Sequence, residues 1–212
     1  MNIMDQIKEG YNRWAGQYDT SLNKTRDLEA KSLQQLLDNM HFKRALEIGC
    51  GTGKNTQVLQ YICDKVLAVD FSEEMLAIAR KKVPASNVSF IQADITEEWD
   101  FAKETFDLIT FSLVLEHIKN LTPIFEKAAR ILTLEGMVYV GELHPFKQYG
   151  GTKARFTEKE ATTTLACFTH HISDFTDNAS AGGLKIEKVA EFFDTSDKST
   201  VPRILSLLFK KR

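Results

Sequence analysis

Between residues 45 and 53 the chain reads Ala-Leu-Glu-Ile-Gly-Cys-Gly-Thr-Gly, an apolar run delivered directly into glycines at alternate positions. Gly49, Gly51 and Gly53 clear the turn of Cβ atoms, so the backbone can adopt positive φ and approach a bound molecule closely. The next apolar run ends in Asp70. A strand, a glycine turn, a helix-compatible stretch and a second strand closed by an acid predict a unit that holds a small ligand at the carboxyl ends of its strands.

Two common glycine-rich loops fail against this spelling. The dinucleotide pattern G-x-G-x-x-G requires glycine where the chain has Lys54. The phosphate-cradling pattern G-x-x-x-x-G-K-[ST] requires glycine at Ile48 and a hydroxyl residue at Asn55. What remains is E-x-G-x-G-x-G, beginning at Glu47. It resembles motif I of the class I S-adenosylmethionine-dependent methyltransferases. Val66 to Met75 is similar to that family's second strand, and Val88 to Ile95 to its third. Phe106 to His117 resembles the fourth strand and following helix of the subgroup containing the ubiquinone and biotin-pathway methyltransferases.

The resemblance implies S-adenosyl-L-methionine as cofactor and S-adenosyl-L-homocysteine as product. It implies that Asp70 accepts hydrogen bonds from both ribose hydroxyls, that Phe71 borders the adenine, that Asp94 holds the adenine amino group and that Ile95 covers the ring. Glu47, Cys50, Ser72, Met75, Phe111, Ser112 and Leu113, with the three glycines, complete the implied cofactor set. The helix N-terminus after the glycine turn favours the methionine carboxylate.

Apolar runs at 44–48, 65–69, 88–92, 106–111 and 137–141 alternate with helical patterns at 58–62, 74–82 and 121–132, the βαβ signature. The runs are apolar on consecutive positions, as parallel strands covered on both faces should be. Thr133 to Gly136 reads as a turn before the fifth strand. Strands at 184–193 and 204–210 are expected to form the family's terminal antiparallel hairpin. The fold class is therefore α/β: a doubly wound, Rossmann-like methyltransferase fold with a seven-stranded, mostly parallel sheet. A single domain is expected, comprising an N-terminal helical lid (1–40), a cofactor-binding core (41–141), an acceptor-side insert (142–175) and a last helix with C-terminal strands (176–212).

Charge narrows the acceptor. With 27 basic against 29 acidic residues there is no basic field for nucleic acid or an anionic membrane, so a small molecule is the expected partner. No run of 18 apolar residues occurs and the first residues lack signal-peptide character, which predicts a cytoplasmic protein. Three cysteines without C-x-x-C spacing suggest neither a disulfide framework nor a zinc site. No pair of histidines at helical spacing is accompanied by a third ligand, so no metal is expected. The choice between monomer and homodimer stays open.

Tyr11, Trp14, Ala15 and Tyr18 recur at helical spacing and place three aromatics on one helix face. The segment resembles the subgroup's amino-terminal W-A-x-x-Y-D block, which implies Tyr11 and Tyr18 over the methionine end of the cofactor, with Trp14 packing. The insert from Glu142 to Phe156 is rich in polar groups, making His144, Tyr149 and Arg155 acceptor-binding candidates. His117, His144 and His170 are candidate bases for an acceptor hydroxyl. The expected activity is methyl transfer to a small-molecule acceptor, with oxygen favoured and a carboxyl group attractive. The alternatives are a protein or tRNA methyltransferase and a non-catalytic S-adenosylmethionine-binding protein.

Overall fold

The computed structural model describes residues 2–20, 22–158 and 161–212. Met1 and Ser21, in the expected lid, and Lys159 and Glu160, in the expected insert, lie outside the described residues. The elements run α1 (Ile3–Tyr18), α2 (Lys24–Leu36), β1 (Phe42–Ile48), α3 (Thr56–Ile62), β2 (Cys63–Asp70), α4 (Glu73–Lys82), β3 (Val88–Gln92) and β4 (Phe106–Ser112). A 3-10 turn (Leu115–His117) leads to α5 (Thr122–Ile131), β5 (Leu132–Leu143), α6 (Pro145–Tyr149), β6 (Arg155–Glu158), β7 (Ala161–Thr164), α7 (Ile172–Ala181), β8 (Leu184–Phe192) and β9 (Ile204–Lys211).

Seven strands form one sheet in the order β3-β2-β1-β4-β5-β9-β8. The first five are parallel, and β9 runs antiparallel to both β5 and β8. β1 explains why the strands read as consecutive apolar runs. Leu46 and Ile48 point into a core shared with Phe125, Ala128 and Phe175 of α5 and α7. Ala45, of the opposite parity, joins Leu33, Leu59 and Leu76 from α2, α3 and α4 on the opposite face. Both sheet faces are dry, so alternation vanishes. Truncating Phe125, fully buried at the centre of the first core, would cost about 3–5 kcal/mol.

Register fixes where the loops emerge. Ile48 stands opposite Val69 of β2 and Phe111 of β4, so the glycine turn, Asp70 and Ser112 leave the sheet side by side. The strand order reverses direction at β1/β4, the place where an open parallel sheet leaves a crevice beyond its carboxyl ends.

Residues 133–136 depart from expectation: they form no turn but lie within β5. Phe106 pairs with Leu132 and Leu108 with Met137, so β5 carries the extra residues as a bulge. A Cβ at Gly136 would stand 2.7 Å from Leu132 Cγ, which explains glycine inside that strand. β5 also continues through Leu143, claiming two residues expected in the insert. The insert itself contains α6 and the short β6–β7 hairpin, which has its own two-stranded sheet.

Candidate functional site

A cleft of about 630 Å³, counting the space open to solvent, lies beyond the carboxyl ends of β1, β2 and β4. Gly49 and Gly51 form one wall, Asp70 and Phe71 the next, and Asp94, Ile95, Ser112 and Leu113 close the far side. Tyr11 and Tyr18 of α1 cover it, and Met75 and His117 also reach its lining.

Asp70 and the glycine turn are one hydrogen-bonded unit. The Gly51 amide donates to Asp70 Oδ2 at 2.9 Å and the Ser72 amide to Oδ1 at 2.9 Å. Burial pushes the Asp70 carboxyl up to about 6, although these backbone donors pull the other way. Gly51 has φ +53, and nothing lies within 4 Å of where its Cβ would be. Gly49 has φ +71, and a Cβ there would stand 2.9 Å from Val114 Cβ. The first glycine serves close packing and the second leaves room on the cleft side of the turn.

The wall after β4 carries backbone strain. Leu113 adopts φ +54, uncommon for a residue with a side chain. Its amide donates to Gly141 O at 2.8 Å, while the Val114 and Leu115 amides donate to Glu142 Oε1 at 2.9 and 2.8 Å. Glu142 is buried, and desolvation holds its carboxyl well above the usual range. It is a shaping residue of this wall that the sequence reading treated only as the start of the insert. Asn12 was also missed. The Ser72 hydroxyl donates to its Oδ1 at 2.6 Å and caps α4 by accepting from the Met75 amide at 3.2 Å, which ties α1 to the cleft.

Five expected cofactor residues do not reach the cleft lining, Ser72 among them, since it is buried between Asn12 and the start of α4. Glu47 is buried behind the glycine turn, accepts from the Thr56 hydroxyl at 2.6 Å and is pushed up to about 8 by burial. Cys50 is buried in the α2–α4 core. Gly53, at φ +80, gives its space to Ala79 of α4. Phe111 packs between Trp99 and Phe125, because strand parity turns it inward and leaves Ser112 at the cleft.

A second cleft of about 1100 Å³ shares Tyr11, Tyr18 and Leu113 with the first. It adds one carboxylate, Glu116, and four cations, Lys24, Lys153, Arg155 and Arg203. Tyr11 marks the seam. Its hydroxyl lies 2.8 Å from His117 Nε2, and His117 Nδ1 lies 2.8 Å from Ala166 O. A carbonyl only accepts, so Nδ1 carries a proton, and in the neutral ring Nε2 accepts from the tyrosine.

The other histidine candidates are held elsewhere. His144 is fully buried and caps α6, Nδ1 accepting from the Phe146 amide at 3.2 Å and Nε2 donating to Glu191 at 3.0 Å. Burial lowers its pKa against the opposing pull of Glu191. His170 is buried and donates from Nε2 to Ile118 O at 2.8 Å. Tyr149 is exposed, with its hydroxyl 2.6 Å from His171 Nδ1. None of the three lines either cleft; of the acceptor candidates, only Arg155 does. Local polarity in the insert pointed to these residues, but their partners lie far away in sequence and were invisible there.

Among the described residues, Glu116, His117 and Cys167 bring possible metal-ligand atoms within 4.8 Å of one another, a grouping not foreseen from spacing. His117 Nε2 is already engaged by Tyr11, and the Cys167 thiol by Leu165 O at 3.5 Å. Only Glu116 Oε2 is without a hydrogen-bond partner, so the cluster fits a hydrogen-bonded seam better than an ion site.

Residues 46–140 match the family model described as Methyltransferase domain. This stretch is a methyltransferase domain. Malonyl-(acyl-carrier protein) O-methyltransferase of Bacillus cereus is 30% identical over 138 residues, covering 62% of this chain and 50% of that protein. Ubiquinone biosynthesis O-methyltransferase of Glaesserella parasuis is 28% identical over 109 residues, covering 48% and 46%. The chain spans about half the length of these relatives. The DhpI–SAH complex superposes with a TM-score of 0.79 at 21% identity, covering 99% of this chain and 97% of that one. The N-methyltransferase NodS from Bradyrhizobium japonicum, in complex with S-adenosyl-L-homocysteine (SAH), gives 0.71 at 16%, covering 100% and 99%. The methyltransferase fold thus extends well beyond residues 46–140, over the whole of the described chain. No helix among the described residues is long and apolar enough to cross a membrane.

Proposed function

We propose that the methyltransferase domain binds S-adenosylmethionine in the first cleft and transfers its methyl group to a small molecule in the second, with oxygen the favoured acceptor atom. One observation carries this reading: a buried carboxylate, Asp70, is locked to a glycine turn on the wall of the cleft at the strands' carboxyl ends. A carboxylate so placed suits a ribose, whose two hydroxyls can both donate to it. Asp94, Ile95 and Phe71 line the same cleft, and in this reading Asp94 holds the adenine, Ile95 covers it and Phe71 borders it. Tyr11 and Tyr18 of the N-terminal segment then lie over the methionine end. The O-methyltransferase names among the relatives support oxygen, on a carboxyl or a hydroxyl carrier.

The bound methyl donor supplies an already activated methyl group, so the chain's own task is alignment and exclusion of water. The aromatic cover performs the second. His117, whose Nε2 meets Tyr11 at the seam, is the candidate base for a hydroxyl acceptor. His144 and His170 have no part in this reading, because neither reaches a cleft. The reaction is expected to proceed without a metal, which equal turnover after exhaustive chelation would check.

Calorimetric titration with S-adenosylmethionine, S-adenosylhomocysteine and NAD tests the donor. Binding of the first two alone is expected, and NAD binding alone would overturn the reading. Incubation with a mixed metabolite extract then separates enzyme from binder, since only an enzyme forms S-adenosylhomocysteine.

A further inference from the structure

The second cleft has a charge pattern unlike the rest of the molecule. The chain as a whole carries a formal charge of -2, yet four cations, Lys24, Lys153, Arg155 and Arg203, line this cleft against a single carboxylate, Glu116. Arg203 is neutralised by a paired contact with Asp194, which also receives Lys147 and feels the charge of Lys24. Lys153 and Arg155 have no ion-pair partner among the described residues. Two unpaired cations from one short segment, backed by Lys24, make a rim with spare positive potential and donors for an anion.

The carboxylate of this cleft differs from its cations in kind. Glu116 belongs to the 3-10 turn next to His117 and is 6% exposed; the Cys167 and Gln148 side chains stand by its carboxyl, yet one oxygen, Oε2, is without a well-formed hydrogen bond. A buried carboxyl oxygen left without a donor is costly, and a ligand that supplies one recovers that cost. The residues common to both clefts, Tyr11, Tyr18 and Leu113, lie where a methyl group must cross. The rim cations line the second cleft alone.

We infer that the second cleft selects an organic acid, its anionic group held on the rim by Lys153 and Arg155 and a second, proton-bearing hydroxyl or amine placed against Glu116. This inference rests on the methyltransferase reading for the identity of its ligand as the acceptor. The anion is then a handle and the proton-bearing group is the one presented to the seam. Two carboxylates side by side at Glu116 would repel each other, which is why the anion belongs on the rim.

The test is calorimetric binding of glycolate, beta-hydroxybutyrate, serine, salicylate and anthranilate, each beside its methyl ester, with and without saturating S-adenosylhomocysteine. At least one acid is expected to bind and its ester to bind about tenfold more weakly, with Lys153→Ala or Arg155→Ala lowering the acid's affinity by a similar factor. Glu116→Gln is expected to weaken the hydroxy and amino acids while leaving acetate and benzoate unchanged. Equal binding of acids and esters, no binding by any acid of the panel, or rim variants without effect would each overturn the inference. S-adenosylhomocysteine binding with no acid preference would remove the inference alone. Acid binding that depends on Lys153 and Arg155, with no affinity for S-adenosylhomocysteine, would keep the anion site and remove the methyltransferase reading.

Discussion

The two adjoining clefts are made by different means. The first is built from backbone that leaves neighbouring parallel strands at one edge, and its buried acid, Asp70, is held by main-chain amides. The second is assembled from separate segments: the start of α2, the turn after β4, residues 152–155 and Arg203 just before β9. Its character comes from side-chain charge. On the proposed reading, topology dictates where a donor can sit, whereas acceptor choice lies in pieces the sheet does not constrain. A fold made this way can exchange one acceptor for another without disturbing its core.

The seam between the clefts is where that contrast can be broken most forcefully. Glu142→Ala would leave the Val114 and Leu115 amides without their shared acceptor, and a stability loss of about 3 kcal/mol is expected from two unpaired buried donors. Glu142→Gln keeps an accepting oxygen and should retain most of that stability. Urea denaturation of the three proteins gives the ranking. An Ala variant as stable as the parent would mean that β5 does not clamp the strained turn at Leu113.

Asp70→Ala acts on one side only. Loss of a charge-assisted acceptor is expected to weaken S-adenosylhomocysteine binding by about 2 kcal/mol, while acid binding in the second cleft stays within about twofold. Equal damage to both would show that the clefts are not separable. Unchanged donor affinity would remove Asp70 from the site.

The same asymmetry governs what could be read from sequence. The glycine turn, Asp70, and the acids and apolar residues at strand ends are local features, and register alone gathers them. Strand location was legible because both sheet faces are apolar, yet that property hides parity, which is why Phe111 was expected in the cleft and lies in the core instead. Glu47 and Cys50 sit beside the turn in sequence but behind it in space. The second cleft had no contiguous signature, since Lys24, Glu116, Lys153 and Arg203 meet only through tertiary contacts. The histidines misled for a related reason. His144 and His170 are satisfied by Glu191 and by Ile118 O, partners about fifty residues distant.

Titration sharpens the donor side further. The Asp70 carboxyl sits at about 6 in the fold against 3.8 as its reference, so between those values the folded chain holds a proton that the unfolded chain releases. This group's contribution to stability therefore falls as pH rises through that window and is flat outside it. On the proposed reading donor binding has the opposite sign, because ribose hydroxyls would donate to the ionised carboxylate. Below pH 6, S-adenosylhomocysteine affinity is expected to weaken by up to about tenfold per unit, and Asp70→Asn should abolish that dependence. A flat profile in the parent protein would show that the carboxylate is not the ribose acceptor.

The smallest effect tests the histidine that the sequence favoured and the structure places elsewhere. His144→Asn keeps an accepting side chain at the start of α6 but gives up the bond to Glu191, so a stability loss of about 1 kcal/mol is expected. Because burial lowers the pKa of His144, its ring is neutral at neutral pH and no charge is lost in the exchange. Affinity for S-adenosylhomocysteine and for acids on the basic rim should be unchanged, since His144 lines neither cleft. If either affinity fell tenfold while stability held, His144 would belong to the acceptor site, and the division between a cleft set by topology and one set by side-chain charge would have to include α6.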